Sequence, residues 1–206
     1  MSPPPEPHEF YSERVPAQFN RDLDAQHAKG ETGRQLYEDM CAVDATIRVE
    51  VEGEGGGTFY LNIERGRMRA SAEASHPPVL TLLQDRRAFE HLVRETGDSA
   101  SALLGGLAGL GGAMPLTRSR IEQLVGLSGL MQFEITGDDG FTLRTHFGSG
   151  PIPDEANTRV RMDAAAYRDL RSGEIDLQSA FMGLRIAIEG DMELALRVAL
   201  AAVSED

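Results

Sequence analysis

A single cysteine, Cys41, stands in a chain of 206 residues. That excludes an intramolecular disulfide and any cysteine-cluster metal site, and it fits a reducing compartment. Basic side chains are also scarce, 20 against 33 acidic, for a net charge of −13. Coulomb repulsion then disfavours a nucleic-acid backbone or an anionic membrane as a standing partner. Arginines gather at 64–69, 86–94 and 118–120, where they read as parts of a solvated mixed-charge surface. No run approaches the roughly 20 apolar residues a bilayer-spanning helix needs, so no transmembrane segment is expected, although transient membrane contact stays open. The start, MSPPPEPHEFYSERVP, lacks the basic and apolar regions of a secretory signal, and VSED is not a peroxisomal address. The expectation is a soluble, acidic, cytoplasmic protein with no nucleic-acid partner.

Chemistry-bearing motifs are missing as well. The glycine-rich stretch ALLGGLAGLGGAMPL contains neither G-x-G-x-x-G nor the Walker pattern, and no lysine lies near it to meet a phosphate. His8, His27, His76, His91 and His146 have no partner at a recognised ligand spacing, so no metal is expected. His146 falls on the polar parity of its strand and is expected to be exposed. Ser179 sits in QSAF rather than in a nucleophile elbow, and a buried hydroxyl bonded to backbone is the role expected of it. Acidic pairs such as Asp138 and Asp139 lie in turns, where they are common anyway. No catalytic residue, cofactor or enzymatic activity is therefore assigned.

What the sequence does contain is patterned apolar surface. Residues 1–16, rich in proline and glutamate, are expected to form a mobile N-terminal arm with a short anchored end. Two helical patterns follow, one pairing Phe19 with Leu23, the other placing Leu36, Tyr37, Met40 and Cys41 on one face. From Ala45 the period becomes two: Ile47, Val49 and Val51, a GEGGG turn, then Phe59, Leu61 and Ile63 read as a hairpin with one buried face. RMRASAE and PVLTLL supply two further strands, and DRRAFEHLVRE returns to helical spacing. The order then recurs: Leu130 to Thr136, Phe141 to Phe147, a strand with Val160 and Met162, and a helix with Tyr167 and Leu170. VEVEGE at 49–54 lies over FEITGD at 133–138, and Phe59 and Leu61 over Phe141 and Leu143. From Phe89 onward a constant spacing of 78 pairs Phe89 with Tyr167, SALLG at 101–105 with SAFMG at 179–183, and Met114 with Met192. An internal duplication follows. The domains expected are the arm at 1–16, a degenerate unit with leading helices at 17–129, and a second unit at 130–206. The first unit's counterpart of RIAIE is LAGLG, too glycine-rich for a stable strand, and residues 115–128 are its closing helix.

Residues 173–203, GEIDLQSAFMGLRIAIEGDMELALRVALAAV, resemble the C-terminal signature of the sterol carrier protein 2 family. There a G-x-hydrophobic-x-P-Q-S-A-F segment precedes a lysine-bearing strand, a Gly-Asp or Gly-Asn corner and a helix. Leu177 replaces the usual proline, Gly183 comes one position early, Leu184 occupies the family's glycine position, and Gly148 to Asn157 is short for a third strand. The resemblance implies an α+β fold: two related units, each a twisted, mainly antiparallel sheet covered on one face by helices. It implies non-enzymatic binding, and transfer, of an apolar lipid (sterol, fatty acyl or isoprenoid) in a hydrophobic cavity between sheet and helices. Phe133, Phe141, Leu143, Phe181, Met182, Ile186, Met192 and Leu196 are the lining residues it suggests. Gln178 is either a polar contact at the mouth or a helix cap. The rival reading is an accessory or scaffold protein whose cavity is filled by its own side chains and which docks to an enzyme or to a second copy. An enclosed apolar void favours the first reading; a filled gap with an exposed apolar patch favours the second.

Overall fold

The computed structural model describes residues 4–96, 115–138, 140–172, 174–175 and 177–203. Pro7–Glu9 (α1), a wide π-turn at Phe10–Arg14, Val15–His27 (α2) and Gly30–Cys41 (α3) open the chain. Four strands follow, Ala45–Glu52 (β1), Gly57–Glu64 (β2), Arg67–Ser71 (β3) and Pro78–Asp85 (β4), and then helix Arg86–Thr96 (α4). The second half contains Arg118–Val125 (α5), Gly129–Thr136 (β5), Phe141–Phe147 (β6), Thr158–Asp163 (β7), Ala164–Ser172 (α6), Leu177–Met182 (α7), Ile186–Gly190 (β8) and Met192–Val203 (α8). The strands form one eight-stranded sheet in the order β3-β2-β1-β4-β6-β5-β7-β8, mixed because β1–β4 and β5–β7 run parallel. Side chains alternate across it. Ile47, Val49, Phe59, Leu61, Leu82, Phe133, Leu143, Val160 and Ile186 are buried under the helices. Arg48, Glu50, Tyr60, Gln132, Glu134 and Arg144 occupy the opposite, polar face.

The two halves repeat in register. Val51 pairs with Gly57 and Val49 with Phe59; 84 residues on, Ile135 pairs with Phe141 and Phe133 with Leu143. The counterpart of Phe59 is thus Leu143, two positions beyond the Phe141 that side-chain type alone suggests. Across the parallel ladders the spacing becomes 78: Glu52 lies beside Asp85, and Thr136 beside Asp163. Asp85 and Asp163 each cap the following helix, accepting the N–H of Ala88 and of Ala166, both at 2.7 Å. The six residues lost between these registers correspond to β3, which has no counterpart in 148–157. The matches drawn at 101–105 and Met114 lie outside the described residues.

How the units join was not anticipated. In the first unit β2 carries β3 on its outer side; β6, the counterpart of β2, carries β4 there instead. In the second unit β7 carries β8; β4, the counterpart of β7, carries β6. Each substituted neighbour is antiparallel, like the one it replaces, so one ladder completes both units. The boundary expected at 129/130 accordingly falls at the start of an interior strand, in a sheet that runs through both halves.

Two expectations are corrected. Residues 7–16 are not a mobile arm: Phe10 and Tyr11 are fully buried, packing on Phe89 with ring centroids 5.5 and 5.8 Å away, and Tyr11 also meets Phe59 at 5.4 Å. Two aromatics next to one another gain enough buried area to order a proline-rich segment. His146 is buried rather than exposed, because β6 lies inside the joined sheet with Thr81 and Leu130 directly beside it.

Candidate functional site

The corner between β8 and α8 is built around one glycine and one asparagine. Gly190 has φ +93°, and a Cβ there would lie 2.1 Å from the Asn157 carbonyl oxygen, so both conformation and close approach demand glycine. The Asp191 N–H donates to that carbonyl at 2.9 Å. The Asp191 carboxylate accepts the Leu194 N–H at 3.0 Å, capping α8, and its carbonyl accepts the Thr158 hydroxyl at 2.7 Å. Asn157 also bridges to β5, its Oδ1 and its N–H each meeting Leu130 at 2.8 Å. The Gly-Asp corner was legible as a strand-to-helix turn; Asn157, which carries no motif of its own, was not.

At the other end of β8, α7 closes with the Arg185 N–H on the Ala180 carbonyl at 2.9 Å and the Leu184 N–H on that of Phe181 at 3.0 Å. This is a Schellman motif, and its left-handed position, usually glycine, holds Leu184 at φ +55°. Leu184 is 90% exposed. Ser179, expected to be buried, is exposed on α7.

The suggested lining residues divide into two groups. Phe133, Phe141, Leu143 and Ile186 are buried in the core, with Phe141 stacked on His91 and set edge-on to Tyr167. Phe181 (42% exposed), Met182 (74%), Met192 (48%) and Leu196 (60%) face outward. Leu200 continues the Met192–Leu196 row along α8, and Val125 is exposed on α5. The side chain of Gln178 lies outside the described residues. Reciprocal arginines clasp α5 to α8: Arg120 Nε donates to the Ala201 carbonyl at 3.0 Å and Arg197 to that of Gly126 at 2.7 Å. The outward row is therefore held on a fixed support.

In the first unit the space between sheet and α4 is taken by Phe10 and Tyr11. The Gln84 amide donates to the Tyr11 hydroxyl, while Gln84 Oε1 is buried without a hydrogen-bond partner. Burial pushes the Tyr11 phenol above its ordinary range. A cavity of about 180 Å³ opens elsewhere, on β2–β3, among Asn62, Glu64, Arg67, Arg69, Ser71 and Ser75. Its Asn62 is fully engaged with Thr46, Ser71, Glu73 and Ser75. Among the described residues no three His, Cys, Asp or Glu side chains could hold a metal ion, and no helix is long and apolar enough to cross a membrane. Each arginine cluster contains an ion pair, Arg67 with Asp24, Arg86 with Glu6 and Glu90, and Arg118 with Glu122.

Residues 110–202 match the profile of the SCP-2 sterol transfer family. This part of the chain is similar to that family. It contains every large exposed hydrophobic residue among those described, from Val125 to Leu200. Among solved structures, apo sterol carrier protein 2 from Yarrowia lipolytica is 14% identical, covering 51% of this chain and 93% of its own, with a TM-score of 0.33. Sterol carrier protein 2 like 2 from Aedes aegypti is 16% identical, with coverages of 58% and 98% and a TM-score of 0.34. A conserved hypothetical protein from Thermus thermophilus, described as possibly a sterol carrier protein, covers 98% of this chain and 88% of its own at 13% identity and a TM-score of 0.23. No curated protein matches the sequence.

Proposed function

We propose that the protein is a non-enzymatic carrier that holds an apolar lipid, of the sterol, fatty acyl or isoprenoid class, against the α7 and α8 surface of its SCP-2 segment. What supports this reading is the match of residues 110–202 to the SCP-2 sterol transfer profile together with the exposed Phe181, Met182, Met192, Leu196 and Leu200 within it, which on this reading hold the ligand on the outer face of the helices rather than in an enclosed void. Covering apolar surface is favourable by about 25 cal/mol per Å², so a long chain needs no specific polar contact, and methionine adapts to varied shapes. Native mass spectrometry of the purified protein, followed by extraction and lipid analysis, tests it. A stoichiometric lipid, lost in Phe181→Asp and Met192→Asp with unchanged circular dichroism, is the expected result. A clean apo mass and no uptake from a broad lipid panel would refute it.

A second reading, an accessory protein with a filled interior, is favoured by the packing of Phe10 and Tyr11 in the first unit and of Phe133, Phe141, Leu143 and Ile186 in the second, beside the same exposed apolar patch. It expects the same outward residues to be covered by protein. The two readings part on whether lipid accompanies the chain.

A further inference from the structure

The two edges of the sheet are treated differently. At β3 the outward backbone is plugged: Asn20 of α2 donates through Nδ2 to the Met68 carbonyl at 2.9 Å and accepts the Met68 N–H through Oδ1 at 3.0 Å, as a paired strand would. At β8 no described residue does this. The Asp191 N–H on Asn157 fixes the alternation of the β7–β8 ladder, so the outward N–H and C=O groups are those of Ile186, Ile188 and Gly190. An open edge is a template for another strand, and proteins ordinarily blunt one that is to stay single.

The surroundings of this edge indicate what covers it. Phe181, Met182 and Leu184 are exposed at its start; Met192, Leu196 and Leu200 are exposed at its end. Leu184 keeps a left-handed conformation although, at 90% exposure, its side chain packs against almost nothing within the chain. We infer that β8 pairs antiparallel with β8 of a second copy about a two-fold axis at Ala187. In that register Ile186 lies opposite the partner's Ile188 beneath the helices, twice over, and the outward N–H and C=O groups of these residues meet; Arg185, just before the strand, is held by Asp169 of α6 at 2.8 Å and takes no part. The apolar face and the backbone edge are thus self-complementary, as a two-fold interface requires. Antiparallel pairing also brings the start of one β8 to the end of the other, so the α7 set of each copy meets the α8 set of its partner. This extends the lipid reading, since a lipid at the seam would be enclosed by both copies, but the pairing itself does not rest on it.

Sedimentation velocity on the full chain and disulfide trapping test it together. Residues directly opposite at a non-hydrogen-bonded site lie about 4.5 Å apart at Cα, within disulfide reach. Ala187→Cys should therefore cross-link to itself under mild oxidation, above a background set by the parent chain, whose one thiol is Cys41. Glu189→Cys should not cross-link to itself. Leu184→Asp should shift the protein from dimer to monomer with unchanged circular dichroism. A parent chain that is monomeric at micromolar concentrations overturns the inference, and so does trapping between Ala187→Cys and Glu189→Cys in preference to Ala187→Cys with itself. A trapped dimer that carries no lipid leaves the pairing standing and removes the carrier reading; a lipid-loaded monomer does the reverse.

Discussion

Gly190→Ala should be among the most damaging single-methyl substitutions in this protein, and the structure separates the reasons. Holding an alanine at φ +93° costs about 1–3 kcal/mol. The new Cβ would also lie 2.1 Å from the Asn157 carbonyl oxygen, and relieving that contact means parting β8 from β7 where Thr158 faces Gly190. Two hydrogen bonds hold that junction, Asp191 to Asn157 and Thr158 to Asp191; at about 0.5–1.5 kcal/mol each, their loss brings the expected destabilisation to about 4 kcal/mol. Gly137→Ala is the control, because Gly137 has φ +124° and nothing within 4 Å of its Cβ position. It carries the conformational cost alone. Urea unfolding followed by far-ultraviolet circular dichroism should place the two variants about 2 kcal/mol apart, or about 4–8 °C in Tm. Equal losses would mean that the contact with Asn157 relaxes freely and that the corner is not a rigid junction.

Tyr11→Phe leaves the buried Gln84 amide without its partner and should cost about 1–3 kcal/mol in chemical denaturation; adding Gln84→Leu should recover most of that loss. Leu184→Gly replaces a left-handed leucine with the residue the Schellman position favours, a gain of about 1–2 kcal/mol less about 0.5–1 for glycine's freer unfolded chain. Unfolding at a concentration dilute enough to keep the chain monomeric should show a small net stabilisation. Burial, then the Arg48 charge, hold the His146 imidazole below its ordinary range. The unfolded chain therefore binds more protons at this site, so the stability it contributes is present above the ordinary value of about 6.5 and is lost as pH falls through the folded value. Thermal unfolding between about pH 7 and pH 5 should show a decline that is shallower in His146→Gln.

Much of the scaffold was legible because it follows from local alternation. Ile47, Val49 and Val51, with Phe133 and Ile135 after them, have no other reading than strands with one buried face, and DRRAFEHLVRE and the pair Tyr167 and Leu170 return to helical spacing after each. The joined sheet was not legible, since nothing in the side chains of β4 or β6 names the partner on the outer side. That omission is what misplaced His146. Nor was the burial of Phe10 and Tyr11, because they sit in a proline- and glutamate-rich segment and find Phe59, Gln84 and Phe89 only through the tertiary fold. At the site, the apolar residues from Phe181 to Leu196 stood out in the sequence. Which of them face inward did not, because α7 and α8 are apolar on more than one side.

The ladder from Leu80–Phe147 to Gln84–Leu143 has a further consequence. Neither half is a finished molecule: one would end in a bare β4 and the other in a bare β6, each shaped to accept the other. A nick in the connection between α4 and α5 should then leave two fragments that find each other again. Separately produced pieces should reconstitute by complementation, and a half borrowed from a neighbouring chain would fit as well as the chain's own.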